Sequence, residues 1–384
     1  MKQGHLLHVF PSFETGGAQV RTVMLMNALG AAFCHSVVAM NGDYSAGQRL
    51  DAGVDCRTIE PPPASGTLST ARSFARLLKE LKPDLLLTYN WGAIEAVMGS
   101  ILAPVCPAVH VEDGFGPDEV SGLKARRVWT RRAVLRRIST MAVPSRTLER
   151  IALEQYWLPR NKVEFIPNGV DTARFSPRWN PELRAAVGLP EDAFVIGTVG
   201  RLRPEKDLVT LVQRFKAAAI PDSRLVFVGD GPSRAEIESA VRAQGITAQC
   251  VFAGELVDTS ACYGAFDLFA MTSITEQMPI GLLEAMSAGL PVLCTAAGDT
   301  ADILEGSPGL QVLPGQRPNE YVDALRSLAA DPDLRQSNGA WNRERAITNY
   351  SLGVMVQRWD HLYRQAAHME PPPAGQHQDV PELP

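Results

Sequence analysis

Thr275-Glu276-Gln277-Met278-Pro279-Ile280-Gly281-Leu282-Leu283-Glu284-Ala285-Met286-Ser287-Ala288-Gly289, leading through Leu290 into Pro291-Val292-Leu293-Cys294, reads as a loop, a helix and a buried strand in succession. Pro279 favours the first turn of a helix, where its missing N–H is not needed. Seven residues separate Glu276, just before that turn, from Glu284, which lies more than a turn further in beside Leu282, Leu283 and Met286. A helix N-terminus offers free N–H groups and the positive end of a dipole, which suit a phosphorylated ligand. Carboxylates flanking it can accept hydrogen bonds from sugar hydroxyls. The plain alternative for either acid alone is a solvated helix cap.

Working outward, short apolar strands alternate with helices. Leu6–Phe10 precedes Gly16-Gly17 and a helix through Leu29; Ser36–Met40, Leu85–Thr88, Ala108–Val111 and Met141–Pro144 follow. The pattern restarts at Phe194–Gly200 and continues through Arg224–Gly229, Cys250–Gly254, Leu268–Met271 and Pro291–Cys294. Strands of this kind imply parallel sheets covered on both faces, hence an α/β protein with two doubly wound halves and a ligand crevice outside the strand ends. A chain of 384 residues is long for one core and fits two domains.

Composition excludes several classes. With 45% hydrophobic and 21% charged residues, no apolar run is long enough to span a bilayer. The start Met1–Leu7 reads as the beginning of a strand rather than a signal peptide. The six cysteines are dispersed without a CxxC pair, so they read as reduced core residues of a cytoplasmic protein. A net charge of −5 argues against general nucleic-acid binding. No Gly-x-Gly-x-x-Gly follows the first strand, which disfavours a dinucleotide-dependent oxidoreductase.

Other loops carry candidate chemistry. Gly16-Gly17 would let backbone N–H groups approach a phosphate, or simply make a tight turn. Arg201 and Lys206 follow the first strand of the second half, where cations would stabilise negative charge developing on a leaving group. His110, at the end of a strand, could donate to a sugar hydroxyl or remain satisfied by local backbone; Glu112 and Asp113 are nearby alternatives. Asp331-Pro332-Asp333 matches an Asp-x-Asp metal pattern on paper but lies between helices and reads as a cap.

Four motifs in order, Gly16-Gly17-Ala18-Gln19, Ile166-Pro167-Asn168-Gly169-Val170-Asp171, Gly200-Arg201-Leu202-x3-Lys206-Asp207 and Glu276-x7-Glu284, resemble those of glycosyltransferase family 4, from about residue 5 to about residue 367. The resemblance implies a GT-B fold of two Rossmann-like domains facing across a crevice. Its expected parts are an acceptor-side domain at 1–175, a donor-binding domain at 176–354, a helix at 355–369 returning to the first domain, and a Pro-rich disordered tail at 370–384. It implies a retaining, metal-independent transferase without a cofactor, whose donor is a UDP- or GDP-sugar. By the same resemblance Glu276 faces the transferred sugar and His110 serves catalysis, while Glu284 takes the ribose. Gly16, Gly17, Asn168, Arg201, Lys206, Met278, Pro279, Ile280 and Gly281 line the donor, with N–H groups from Met278 to Leu282 aimed at sugar and phosphate. Met278 and Gly281 depart from the family's usual aromatic and branched residues. Thr88-Tyr89-Asn90 through Glu95-Ala96, with His110 and Gly114, resembles an exopolysaccharide-type branch. The alternatives are a sugar-nucleotide epimerase or hydrolase of the same fold, and a non-catalytic sugar-nucleotide binder.

Lys124, Arg126, Arg127, Arg131, Arg132, Arg136 and Arg137 lie within fourteen residues that contain no acid, interleaved with Val128, Trp129, Val134 and Leu135. A basic amphipathic helix carrying a Trp could rest on the anionic inner face of the plasma membrane and meet a saccharide acceptor linked to polyprenyl diphosphate. The alternative is a solvated helix packed on the first sheet.

Overall fold

The computed structural model describes residues 3–63, 66–115, 119, 122–256, 258–313 and 317–370. The expected tail lies outside these residues apart from Glu370. The chain divides into two compact units: one holds the chain up to Asn168 together with the segment from Met355, the other Gly169–Val354.

In the first unit, β1 (Gly4–Phe10), β2 (Phe33–Ala39), β3 (Cys56–Ile59), β4 (Leu85–Tyr89), β5 (Ala108–Val111), β6 (Thr140–Val143) and β7 (Val163–Phe165) form one sheet in the order β3-β2-β1-β4-β5-β6-β7. Its helices are α1 (Gly17–Leu29), α2 (Thr67–Leu81), α3 (Ile94–Leu102), α4 (Ala125–Leu135) and α5 (Arg146–Glu154). In the second unit, α6 (Pro181–Ala186) precedes β8 (Phe194–Val199), α7 (Leu208–Ala218), β9 (Ser223–Val228), α8 (Arg234–Ala243), β10 (Cys250–Gly254) and β11 (Leu268–Met271). Then come α9 (Ile280–Ser287), β12 (Val292–Thr295), α10 (Thr300–Ile303), β13 (Val312–Leu313), α11 (Pro318–Ala330) and α12 (Pro332–Tyr350), after which α13 (Leu352–Ala366) leaves this unit for the first. The sheet order is β10-β9-β8-β11-β12-β13.

The strand pairs of the described residues are parallel. Both sheet faces are covered. Ile196, Leu225 and Leu268 pack on α7 and α11 through Leu211, Phe215 and Leu325. Their neighbours Val195, Val226 and Phe269 pack on Leu282, Leu283 and Met286 of α9. This is why the strands read as continuous apolar runs rather than as an alternation. In each unit the order reverses beside the first strand, between β1 and β4 and between β8 and β11, and loops at such a switch point diverge to leave room for a ligand.

The division falls before Gly169, earlier than the expected boundary at 175. Val170 donates to Tyr350 O at 2.8 Å, and Arg343 Nη1 donates to the carbonyls of Thr172 (2.7 Å) and Phe175 (3.0 Å), so 170–175 is tied into the second unit. From Met355 the last helix joins the first unit, where Tyr363 meets Phe33 edge-on and Trp359 lies under Arg21. The short outer strands β3 and β13, which carry little apolar signal, are absent from the sequence reading.

Candidate active site

In the second unit the loops after β8 and β11 are bound to one another. Ile274 N donates to Glu205 O at 2.9 Å, and the Thr272 hydroxyl donates to Asp207 O at 2.9 Å. Lys206 Nζ then meets Glu276 Oε1 at 2.5 Å, and the Ser273 hydroxyl donates to the same oxygen at 2.8 Å. Charge-assisted bonds of this length hold both groups in one geometry. The pair stays reachable, with Lys206 26% and Glu276 11% exposed. Arg201 stands exposed on the same loop as Lys206.

The Glu276 loop is fastened from behind. Thr295 Oγ1 donates to Ser273 O at 2.7 Å, and Asp299 N donates to Gln277 O at 3.1 Å. Gly298 has φ +55°, and a Cβ there would lie 2.1 Å from Glu276 O, so only glycine permits this close approach.

Helix α9 starts after Pro279, whose φ of −72° suits the turn. It ends in a Schellman motif: Gly289, at φ +73°, donates to Met286 O and Leu290 donates to Ala285 O, both at 3.0 Å. Leu282 N and Leu283 N are already bonded to Pro279 O, which corrects the expected reach of the N–H array to Leu282. Ile280 and Gly281 occupy the first helical positions, where N–H groups have no acceptor within the helix. Met278 has its side chain in the core, so its contribution to a ligand is backbone.

Glu284, partly exposed, accepts a hydrogen bond from Tyr263 Oη at 2.5 Å. Burial pushes its carboxyl up to about 7, opposed by the Tyr263 hydrogen bond and by Arg174. A cavity of about 520 Å³ lined by Pro177, Gly289, Gln336, Arg343 and Ile347 lies at the far end of α9 and contains none of the predicted site residues. Asp331 accepts from Leu334 N at 2.9 Å and caps α12, as expected of the Asp-x-Asp pattern here.

In the first unit Gly16 caps α1 in an extended conformation and Gly17 opens the helix. Arg21, the single charged residue of α1, is buried and binds Asp113 through two nitrogens; its Nη1 also reaches Asn168 Oδ1 at 3.2 Å. Asn90 Oδ1 accepts from Asp113 N at 2.8 Å. Asn168 and the Gly16-Gly17 helix are thus brought together by Arg21, which the sequence reading missed. A lone cation on an otherwise uncharged helix was the available signal, because such a charge must find a partner when buried.

His110 lies deeper in the first unit than a loop residue would. It is interior to β5, paired with Thr88 and Met141 in neighbouring strands, and fully buried. Its Nδ1 lies 2.9 Å from Thr88 Oγ1 and its Nε2 3.8 Å from Glu112 Oε2. In this conformation the imidazole faces Thr88 and Glu112.

The basic cluster divides by helical face. Arg131 is buried, which corrects its assignment to a membrane or acceptor surface: it donates to Glu112 from Nε at 2.9 Å and lies against Trp91 and Tyr156. Arg127 binds Glu119 at 2.8 Å. Lys124, Arg126, Arg136 and Arg137 are exposed, and Arg132 sits between the rings of the exposed Trp129 and Trp157. Among the described residues no helix is long and apolar enough to cross a membrane, and no group of three or more His, Cys, Asp or Glu could hold a metal ion.

Residues 16–169 match the family model described as glycosyl transferase 4-like domain, and residues 180–345 match glycosyl transferases group 1. The chain is 29% identical over 287 residues to sulfoquinovosyl transferase SQD2 of Arabidopsis thaliana, spanning 70% of this chain but only 55% of that protein. It is 31% identical over 316 residues to the 2-deoxystreptamine N-acetyl-D-glucosaminyltransferase of Streptomyces fradiae, spanning 73% of each. HepE from Anabaena, solved with UDP, superimposes with a TM-score of 0.81 at 19% identity over 94% of this chain and 100% of that one, a likeness of fold.

Proposed function

The chain belongs to the glycosyl transferases group 1, the family-4 type with the GT-B fold, and from that premise we propose that it moves a sugar from a nucleoside-diphosphate donor to a saccharide with retention of configuration. The observation that carries this reading is the 2.5 Å pair of Lys206 and Glu276 at the switch point of the second sheet. On donor binding Lys206 exchanges Glu276 for the diphosphate, and the released carboxylate accepts hydrogen bonds from the sugar hydroxyls. As the bond from the anomeric carbon to the phosphate oxygen breaks, negative charge gathers on the diphosphate. Lys206, Arg201 and the first N–H groups of α9 then bind it more tightly than in the ground state. Glu284 takes the ribose.

No carboxylate nucleophile is assigned. Transfer proceeds on one face, with the departing phosphate accepting the proton of the acceptor hydroxyl, and it needs neither a metal ion nor a cofactor. The donor is a UDP- or GDP-sugar; HepE, with the same fold, was solved with UDP. The acceptor is a saccharide carried on polyprenyl diphosphate during assembly of a bacterial surface or exported polysaccharide. The outward cations of α4 hold the enzyme peripherally on the anionic inner leaflet, where such an acceptor resides.

The test is donor turnover with EDTA present, with and without a lipid-linked saccharide, the anomeric configuration of the product being read by NMR. Acceptor-dependent formation of a retained linkage supports the reading. Release or inversion of sugar without acceptor would instead identify a hydrolase or epimerase. Nucleotide binding without turnover would identify a non-catalytic binder.

A further inference from the structure

Tyr263 stands on the turn Ser260–Ala265 before β11, and its ring is wholly buried against Phe175, Phe266 and Phe269, with centroids 5.7, 6.0 and 6.2 Å away. Three aromatic neighbours leave the phenol no other place to go. Its hydroxyl points out of this core at α9, 2.5 Å from Glu284 Oε2 and 3.4 Å from Gly281 O. The single phenolic hydrogen goes to the nearer and more basic carboxylate oxygen. A glutamate has three rotors, and fixing its carboxylate before a ligand arrives removes an ordering cost that the ligand would otherwise bear. With Oε2 bound by Tyr263, Oε1 and one lone pair of Oε2 remain for further donors on the partly exposed side of Glu284.

We propose that Tyr263 is a positioning residue for the donor: it locks the Glu284 carboxylate in the orientation that receives the ribose hydroxyls, and so makes the site select ribonucleoside over 2′-deoxyribonucleoside diphosphates. The proposal rests on the reading of Glu284 as the ribose-binding carboxylate. A loosely held carboxylate could follow either sugar and would discriminate poorly. A fixed one leaves a lone pair unmet when the 2′-hydroxyl is missing, which is the larger penalty in a partly dry site.

The experiment measures calorimetric affinities of the whole protein for UDP and 2′-deoxy-UDP, beside donor kinetics. Unmodified protein is expected to prefer UDP by about tenfold, the worth of one hydrogen bond to a charged group. Tyr263→Phe, which removes one oxygen, is expected to reduce that preference to about twofold and to raise the donor KM several-fold while kcat stays within about twofold. In a Glu284→Ala background, which removes the acceptor altogether, Tyr263→Phe is expected to add nothing, since both changes break one interaction. A folded Tyr263→Phe protein that keeps the full preference, or losses that add in the double variant, would overturn the assignment. Should the phenylalanine variant not fold, Glu284→Asp withdraws the carboxylate from the phenol, and an undiminished preference in that variant overturns the proposal equally. If the unmodified protein binds none of UDP, GDP and ADP, the donor-site reading itself fails and takes this inference with it.

Discussion

Arg131 and Glu112 form an ion pair from which water is excluded on both sides, 1% and 0% exposed, at 2.9 Å. Glu119 completes the cluster 3.6 Å from Arg131 Nη1. The helix that carries the chain's densest positive charge is therefore pinned to its own unit by part of that charge. Burying charges costs several kcal/mol per ion before pairing, so each member depends on the others.

Arg131→Ala is expected to destabilise the protein by about 3–5 kcal/mol, because it strands Glu112 without its cation. Arg136→Ala, on the exposed side, should change stability by no more than about 0.5 kcal/mol. Urea unfolding of both variants checks this, and equal effects would refute the division of the helix into two faces.

Lys206→Ala and Glu276→Ala should each lower transfer by about 100-fold or more. Unfolding midpoints should stay close to that of the unmodified chain, since both side chains remain in contact with solvent. Turnover near normal in either variant would remove the pair from the reaction.

Nucleotide binding should weaken as pH falls below about 7, where Glu284 takes up a proton and loses an acceptor. The groups facing this carboxyl are Tyr263, Arg174, Asp258 and Cys262. The sign for stability is opposite. A carboxyl raised in the folded state from 4.5 to about 7 binds more protons folded than unfolded between those values, so stability declines as pH rises through that window and is level above it. UDP affinity measured at several pH values, with Glu284→Gln as control, tests the first statement; the control should be flat.

Binding to anionic vesicles should fall when Arg132, Arg136 and Arg137 are replaced by alanine together, by about 1 kcal/mol for each cation that lies near the surface. Trp129→Ala and Trp157→Ala should remove the part that survives high salt, because the rings bury apolar area rather than charge. Co-sedimentation with and without salt separates the two. Binding unaffected by all these changes would confine α4 to a structural role.

Much of the fold was legible because its signals are local. Leu6–Phe10 and Phe194–Val199 announce buried strands through runs that are apolar except at His8 and Thr198. Pro279 and Gly289 mark the two ends of α9 through backbone preferences that act within a turn. The loops carrying Lys206 and Glu276 could be found for the same reason: their spacing from a strand end is a property of adjacent residues. The outer strands escaped notice because Cys56–Ile59 is only partly buried and lacks an apolar run.

By itself, then, the amino-acid sequence determined the α/β class, the two-unit plan and the loops that offer cations, carboxylates and helix N–H groups, since these follow from periodicity and turn chemistry. Only the tertiary structure decided which charges are partnered. Arg21 reaches across 92 positions to Asp113, Lys206 across 70 to Glu276, and Arg131 leaves an acid-free segment to find Glu112 just past the end of β5. His110 was drawn inside by the register of β5 against β4 and β6. Charge has long reach but no periodicity, so its pairing depends on which strands lie side by side, and strand order is set by the packing of the whole unit.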